Sequence, residues 1–222
     1  MATETITIFS FLEKLRLNNN REWFTENKLL YEQAKMQADE LFATIFNEFK
    51  AVDDTLDNYK SYRIYRDVRF STDKTPYKTH FGMFINRIKP DYRGGYYLHI
   101  EPNNTFLGIG FYGPNKEDLL RIRKEIELDA ELEQILADKT IKKYFDALQG
   151  DEVKTAPKGF DKNHPRINLI KKKQFYLTHQ FENIDVLKTT FPQEVVKTFK
   201  AADGFLAYMT DVLLTNLNGE KI

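Results

Sequence analysis

The cations of one short segment, Tyr62 to Gly82, are the residues of this sequence best suited to chemistry. The segment reads YRIYRDVRFSTDKTPYKTHFG, and arginine recurs at every third position from residue 63 to residue 69. Guanidinium and ammonium groups bind carboxylate and phosphate, and arginine can do so through two parallel hydrogen bonds. The segment therefore predicts a site for a small anionic or phosphorylated ligand. The expected ligand-binding residues are Arg63, Arg66, Arg69, Lys74, Lys78, His80, Tyr65 and Tyr77.

The same cations also have a purely structural interpretation. Asp67 and Asp73 lie within the segment, and arginine–aspartate pairs commonly brace loops. If Tyr62–Phe70 is a strand, its side chains alternate between two faces, and Arg66 falls on the apolar one. A buried guanidinium must be paired. The partner of Arg66 is then either a carboxylate of this chain or an anionic ligand.

The charge of the chain is balanced overall but segregated along the sequence. Lys and Arg number 33, as do Asp and Glu, yet residues 60–93 hold nine basic and three acidic residues. A second basic stretch covers residues 154–173. A neutral protein is a poor candidate for loose, sequence-independent nucleic-acid binding, which needs a broad basic surface. The pattern favours a local anion site.

Two other functions stay open. A module that binds single-stranded nucleic acid would stack bases on aromatic side chains. A protein-interaction scaffold would use the acidic helices or an exposed apolar patch. The groups expected to stack on bases are Tyr92, Arg93, Tyr96 and Tyr97.

The histidines do not form a compact metal motif. His99 and Glu101 share one face of a predicted strand, but a metal site needs a third ligand, for which Asp67, Asp73 or His80 are candidates. We expect ordinary hydrogen-bonded histidines, no metal and no cofactor. The sequence has no hydrolase elbow and no zinc-protease motif, so it does not decide whether the protein is an enzyme.

The elements that must position these residues predict an α+β fold, in which an antiparallel sheet packs against a long N-terminal helix and C-terminal helices. We expect one domain over residues 1–222, with Asn20 as the N-cap of the long helix. The predicted helices are 7–17, 21–51, 115–127, 129–148 and 192–216. The predicted strands are Tyr62–Phe70, His80–Ile88, Gly95–Glu101, Thr105–Tyr112 and Gln174–Phe181.

The glycines after the PNN turn have two predicted placements. A hairpin loop made of Asn103 and Asn104 alone puts Gly108 opposite His99, whereas a three-residue loop puts it opposite Leu98. A slip of one residue moves every side chain of the strand to the other face of the sheet.

The compartment is predicted from composition. The chain has no cysteine, which fits a reducing cytoplasm and excludes disulfides and thiolate zinc sites. The N-terminus lacks the features of a signal peptide, and no stretch reaches the roughly 18 apolar residues of a membrane helix. We expect a cytoplasmic protein with no membrane partner.

Four stretches together resemble an uncharacterised microbial family, domain of unknown function 2461. They are NNNREWFTENKLLYE, RIYRDVRFSTDKTPYKTHFG, GGYYLHIEPNNTFLGIGFYGP and APKGFDKNHPRINLIKKKQFYL. The resemblance runs from about residue 8 to residue 215. It implies one full-length domain of bacterial origin. It implies no activity, cofactor or catalytic residue, because the family has none established.

Overall fold

The computed structural model describes residues 2–215 and 220–221, and it describes side chains from residue 7 onward. The helices are α1 (Ala2–Leu17), α2 (Arg21–Glu26), α3 (Lys28–Lys50), α4 (Lys116–Leu128), α5 (Glu131–Ala137), α6 (Lys139–Tyr144), α7 (Ile167–Ile170), α8 (Asn183–Val186), α9 (Phe191–Lys200) and α10 (Asp203–Leu214). The strands are β1 (Leu56–Ser61), β2 (Phe81–Arg87), β3 (Gly95–Ile100), β4 (Thr105–Phe111) and β5 (Phe175–Phe181). No helix in these residues is both long and apolar enough to cross a membrane.

The five strands form one antiparallel sheet in the order β1-β2-β3-β4-β5, which confirms the α+β prediction. The strands predicted around β2, β3, β4 and β5 are confirmed within two residues at each end. Each has bulky apolar side chains at alternate positions, the pattern that buries one face of a sheet. Leu98 and Ile100, for example, are fully buried on β3.

The predicted strand Tyr62–Phe70 is wrong, and the first strand lies earlier, at β1. Within this stretch the structure has one isolated bridge, between Tyr65 and Tyr77. Beyond it, the side chain of Asp67 accepts a hydrogen bond from the backbone N–H of Arg69 at 3.3 Å. Short polar side chains that bond nearby backbone in this way compete with strand pairing. The alternation of Tyr, Ile and Val therefore does not continue as a ladder.

Three predicted helices are each divided in two. The long N-terminal helix is interrupted at Asn27, whose side-chain amide donates to the carbonyl of Trp23 at 2.9 Å. The stretch 129–148 becomes α5 and α6, because Asp138 leaves the helical conformation and caps α6 through its side chain. The C-terminal helix ends at Lys200 and restarts at Asp203. Hydrophobic periodicity continued through all three breaks, so it did not reveal them.

The chain divides into two compact units. Unit 1 contains the described residues of Met1–Ile85, Tyr97–Leu107 and Gln180–Lys197. In this unit α3 packs against α1 and β1. The predicted apolar face of α1 is confirmed, and Asn20 caps α2 by accepting a hydrogen bond from the N–H of Trp23 at 2.9 Å. The buried residues of the α1 face are Ile8, Phe9, Phe11, Leu12 and Leu15.

Unit 2 contains the described residues of Asn86–Tyr96, Gly108–His179 and Thr198–Ile222. Here α10 packs against α4 and α5, and Tyr96 packs its ring on Phe199 at a centroid distance of 5.0 Å. Gly110 has a φ of 133°, and a Cβ at this position would overlap the backbone oxygen of Phe175. Only glycine fits this conformation and this close approach.

Candidate functional site

Residues 62–82, which we call the cationic hairpin, fold back on themselves as an irregular antiparallel pair in unit 1. The backbone N–H of Lys78 donates to the carbonyl of Ile64 at 2.8 Å, and that of Arg66 donates to the carbonyl of Pro76 at 2.9 Å. Residues 67–75 form the tip between these paired backbones. The hairpin leads directly into β2, so its last residues are fixed by the sheet.

Tyr77 anchors the hairpin to the helical layer of unit 1. Its ring is 6% exposed and stacks on Phe24 at a centroid distance of 3.9 Å. Its backbone is held by one side chain, Asn19, whose amide donates to the carbonyl of Tyr77 at 2.9 Å and accepts from its N–H at 3.1 Å. Tyr65 packs edge-on against Phe24 from a more exposed position. The two predicted tyrosines therefore fasten the hairpin in place.

Three of the predicted cations are bound within the hairpin itself. Arg69 forms a two-pronged pair with Asp67, at 2.9 Å and 2.6 Å, on a side chain that is 76% exposed. Lys74 donates to the carbonyl of Val68 at 3.0 Å. Arg66 donates to the side chains of Asp73, Thr75 and Ser71. These groups brace the hairpin tip, as the structural interpretation predicts.

Asp73 shows how strongly the tip is organised. Hydrogen bonds from the backbone of Thr75, and then from Arg66 and the Thr75 hydroxyl, lower the pKa of Asp73 to about 2. These donors stabilise the ionised carboxylate, so Asp73 is charged at neutral pH and neutralises Arg66.

Lys78 and Arg63 differ from the other cations of the hairpin. In the described part of the chain, neither forms an ion pair with a carboxylate. Lys78 is half-buried, and its ammonium lies 5.2 Å from the centre of the Tyr62 ring. Burial, and then the nearby charge of Arg63, lower the pKa of Lys78. Both causes act against the charged ammonium, so this position favours an added negative charge.

Next to Lys78, two histidines and a glutamate meet, and we call them the His–His–Glu cluster. Because β2 and β3 are antiparallel neighbours, His80 before β2 lies beside His99 and Glu101 at the end of β3. The two imidazole centres are 4.0 Å apart, and His99 Nε2 lies 3.1 Å from Glu101 Oε2. One ring nitrogen or carboxylate oxygen from each residue lies within 4.8 Å of the other two. Of the three candidates for a third ligand, the structure brings His80 to this place.

Neighbouring side chains hold the cluster in position. The hydroxyl of Tyr97 lies 3.1 Å from His99 Nδ1, and the hydroxyl of Thr79 donates to Glu101 Oε1 at 2.6 Å. Asn104 donates its side-chain amide to Glu101 Oε2 at 2.8 Å. Glu101 and His99 are therefore each fixed by partners outside the cluster.

The stacking of Phe106 on His99 shows on which face of the sheet Gly108 lies. Its ring stacks on His99 with centroids 4.6 Å apart, so the two residues share a face of the sheet. Gly108 follows two residues later and lies on that same face. The glycine is thus on the same face as His99, while Leu98 points into the core. The loop itself differs from both predictions, because β3 ends at Ile100, β4 begins at Thr105, and the N–H of Asn104 donates to the carbonyl of Glu101.

The environment sets the charge of the cluster. Burial, followed by the neighbouring His99, lowers the pKa of His80 to about 4, and burial also lowers the pKa of His99. For Glu101, burial alone would raise the pKa, but hydrogen bonds from Thr79, Asn104 and His99 together lower it. At neutral pH the cluster therefore contains two neutral imidazoles and one carboxylate.

Comparison with known proteins gives a family for the chain. Residues 7–208 match the family model described as conserved hypothetical protein (DUF2461). The chain belongs to this family. The match includes the whole cationic hairpin and the His–His–Glu cluster of this DUF2461 protein, and it confirms the family predicted from the sequence. No curated protein and no solved structure matches the chain.

The groups predicted to stack on nucleic-acid bases have other roles in this DUF2461 protein. Tyr96 is buried, and Arg93 is paired with Asp118. The guanidinium of Arg87 lies over the ring of Tyr92, 5.1 Å from the ring centre. Single-stranded nucleic-acid binding and an interaction scaffold stay predictions, without further support from these residues.

Basic side chains of the second basic stretch, residues 154–173, bind carbonyl and carboxylate groups of the chain itself. Arg166 donates to the carbonyls of Ile126 and Glu127, at 2.6 Å and 3.1 Å, at the C-terminal end of α4. Lys172 pairs with Glu152 at 3.1 Å. These bonds satisfy helix-end carbonyls and a surface acid, as cations near a helix C-terminus commonly do.

Sequence reasoning missed the residues that position the site. The sequence predicts Asn104 only as part of a hairpin loop, and it predicts no role for Asn19 or Thr79. The sequence carries no signal for Asn19, because its partner lies 58 residues away. A weak signal existed for Glu101, since a carboxylate on the same strand face as His99 is close enough to bond it.

Proposed function

We propose that this DUF2461 protein binds a small anionic ligand, a carboxylate or phosphate compound, at Lys78 and Arg63 beside His80. One observation carries the proposal. Lys78 is a half-buried ammonium that forms no ion pair with any carboxylate of the described residues, although acids pair with the cations of the hairpin tip.

The charge of Lys78 is costly to hold in this position without a partner. Partial burial removes water from the ammonium of Lys78, and Arg63 adds like-charge repulsion. The Tyr62 ring offsets part of this cost, since a cation over an aromatic face gains about 0.5–1 kcal/mol at exposed sites. An anion would relieve both the desolvation and the repulsion. Lys78 is thus better suited to a ligand than to a structural role.

Fewer residues bind the ligand in this proposal than the eight ligand-binding residues predicted from the sequence. Lys78 and Arg63 contact the anion, and His80 borders it. Tyr77 and Tyr65 fasten the hairpin. The three remaining cations, Arg66, Arg69 and Lys74, brace the tip. The expected ligand is a small cytoplasmic metabolite, in keeping with the absence of cysteine.

Titration of the folded protein tests the proposal. Inorganic phosphate, sulfate and a panel of phosphorylated and carboxylated metabolites are screened by thermal shift, because a ligand that binds only the folded state raises the melting temperature. The affinity of each hit is then measured by calorimetry. A hydrogen bond to a charged group contributes about 1.5–3 kcal/mol, so Lys78→Met should weaken binding by roughly 10-fold to 100-fold.

Lys74→Met is the matched control, because Lys74 lies in the same hairpin but donates to the carbonyl of Val68. It should leave the affinity within about twofold. Equal losses in both variants would move the site to the hairpin tip and refute the proposed location. Absence of any anion binding by the wild type would refute the proposal itself. Salt-sensitive binding of a single-stranded oligonucleotide would favour the nucleic-acid alternative instead.

A further inference from the structure

We infer that His80, His99 and Glu101 form a binding site for a first-row divalent metal ion, with Zn²⁺ as the reference ion. This inference goes beyond the proposed anion binding and differs from the sequence prediction that no metal is bound. It rests on the juxtaposition of three suitable donor groups and on the side chains that hold two of them.

The spacing of the donor atoms fits a shared ion. Zinc lies about 2.0–2.2 Å from imidazole nitrogen and carboxylate oxygen, so two ligand atoms on one ion are roughly 3–3.6 Å apart. The His99 Nε2 to Glu101 Oε2 distance is 3.1 Å, within that range. The donor atom of His80 lies within 4.8 Å of both. A side-chain adjustment on the order of 1 Å at His80 completes the triad.

The donor set is one that proteins use for catalytic metals. Two histidines and one glutamate bind zinc in some metalloenzymes, where a fourth position remains for water or substrate. Two histidines and one carboxylate also hold iron in non-haem enzymes. Zinc and iron are thus both bound by two histidines and one carboxylate. The protein ligands therefore indicate a first-row divalent metal ion and do not select between these two.

Side chains around the cluster have the arrangement expected behind metal ligands. A histidine that binds metal through one ring nitrogen usually donates the other N–H to an oxygen atom, which fixes the ring orientation. The hydroxyl oxygen of Tyr97 lies 3.1 Å from His99 Nδ1, in the place of such an acceptor. Thr79 and Asn104 hold both oxygens of Glu101. Tyr97 is therefore a positioning residue.

A hydrogen-bonded network without metal accounts for only part of this geometry. It explains the contact between His99 and Glu101, which satisfies one donor and one acceptor. It does not account for the second imidazole, that of His80, whose ring centre lies 4.0 Å from that of His99 and whose donor atom lies within 4.8 Å of the other two. A shared ion explains all three positions.

Zn²⁺ titration of the full, tag-free chain after chelator treatment tests the inference. Calorimetry should show one ion per chain. Glu101→Gln and His80→Gln, which preserve approximate size, should each weaken the affinity at least tenfold. Tyr97→Phe should weaken it by a smaller factor than either of these variants, because it removes a group that orients His99 and leaves all three donor atoms in place. His164→Gln is the matched control, since His164 accepts a bond from the Arg166 backbone outside the cluster.

Lys78→Met separates this inference from the proposed function. Removing a nearby positive charge should increase Zn²⁺ affinity, while it should decrease anion affinity. Co²⁺ absorption spectra add a readout of the ligands, and they should change in Glu101→Gln. Circular dichroism and thermal melting verify that each variant is folded. Absence of Zn²⁺ binding, or binding that the cluster variants leave unchanged, would overturn the inference without affecting the anion site.

Discussion

Replacing Asn19 with alanine should loosen the whole cationic hairpin. Asn19 is the second of three consecutive asparagines, and its side chain bonds both the N–H and the carbonyl of Tyr77. Tyr77 is almost fully buried, so water cannot fully replace these bonds. The same hairpin carries Lys78 and His80 into the site. Loss of Asn19 should therefore affect both stability and binding.

The magnitude follows from two lost hydrogen bonds. Each contributes about 0.5–1.5 kcal/mol, and removal leaves two buried backbone groups unsatisfied, so Asn19→Ala should cost about 2 kcal/mol. For a protein of 150–250 residues this lowers the melting temperature by roughly 4–8 °C. Asn18, by contrast, is exposed, and its side-chain amide donates to the carbonyl of Lys14. Asn18→Ala should change stability by less than about 0.5 kcal/mol.

Urea unfolding followed by the fluorescence of Trp23, the single tryptophan, measures both variants. Trp23 lies near the helical anchor of the hairpin and packs on Phe11 at a centroid distance of 6.4 Å. Asn19→Ala should shift the midpoint to lower urea, and Asn18→Ala should coincide with the wild type. Equal midpoints for Asn19→Ala and the wild type would show that the clamp on Tyr77 does not stabilise the fold.

Two further predictions concern single positions. Gly110→Ala should greatly reduce the yield of folded protein, because the added Cβ overlaps the backbone oxygen of Phe175 and the φ of 133° strains any residue other than glycine. A variant as stable as the wild type in thermal melting would contradict this. Arg66→Gln should raise the pKa of Asp73 from about 2 only part of the way to its ordinary value, since the largest cause is the Thr75 backbone; NMR titration of the Asp73 carboxyl measures this, and a complete return would contradict the assignment.

Helix faces and four of the five strands could be predicted from sequence, because apolar side chains recur with the period of the element wherever one of its faces is buried. The faces of α1 and β3 are examples, since Leu12 and Leu98 are buried where the spacing requires. Breaks such as Asn27 could not be predicted, because the apolar period continues across them. The false strand at Tyr62–Phe70 arose from residue types that favour strands, while Asp67 and Arg69 formed a local turn instead.

The sequence predicts which residues of the candidate site could carry chemistry, but it does not predict which of them lie together in the fold. The sequence indicated that Lys78, His80 and Glu101 could carry chemistry. It did not show that Arg66 and Arg69 are neutralised by Asp73 and Asp67, because both pairs form in a turn that the strand prediction excluded. The meeting of His80 with His99 depends on the pairing of β2 with β3, which requires the register of the sheet.

The most direct test of the account is a crystal structure of the protein soaked in selenate, a phosphate-sized anion located by its anomalous signal. If the ligand binds at Lys78, one strong peak should lie within hydrogen-bond distance of the Lys78 ammonium and should be lost in Lys78→Met. A peak held instead by Arg66 and Arg69 at the hairpin tip, or no peak near Lys78 at saturating selenate, would contradict it.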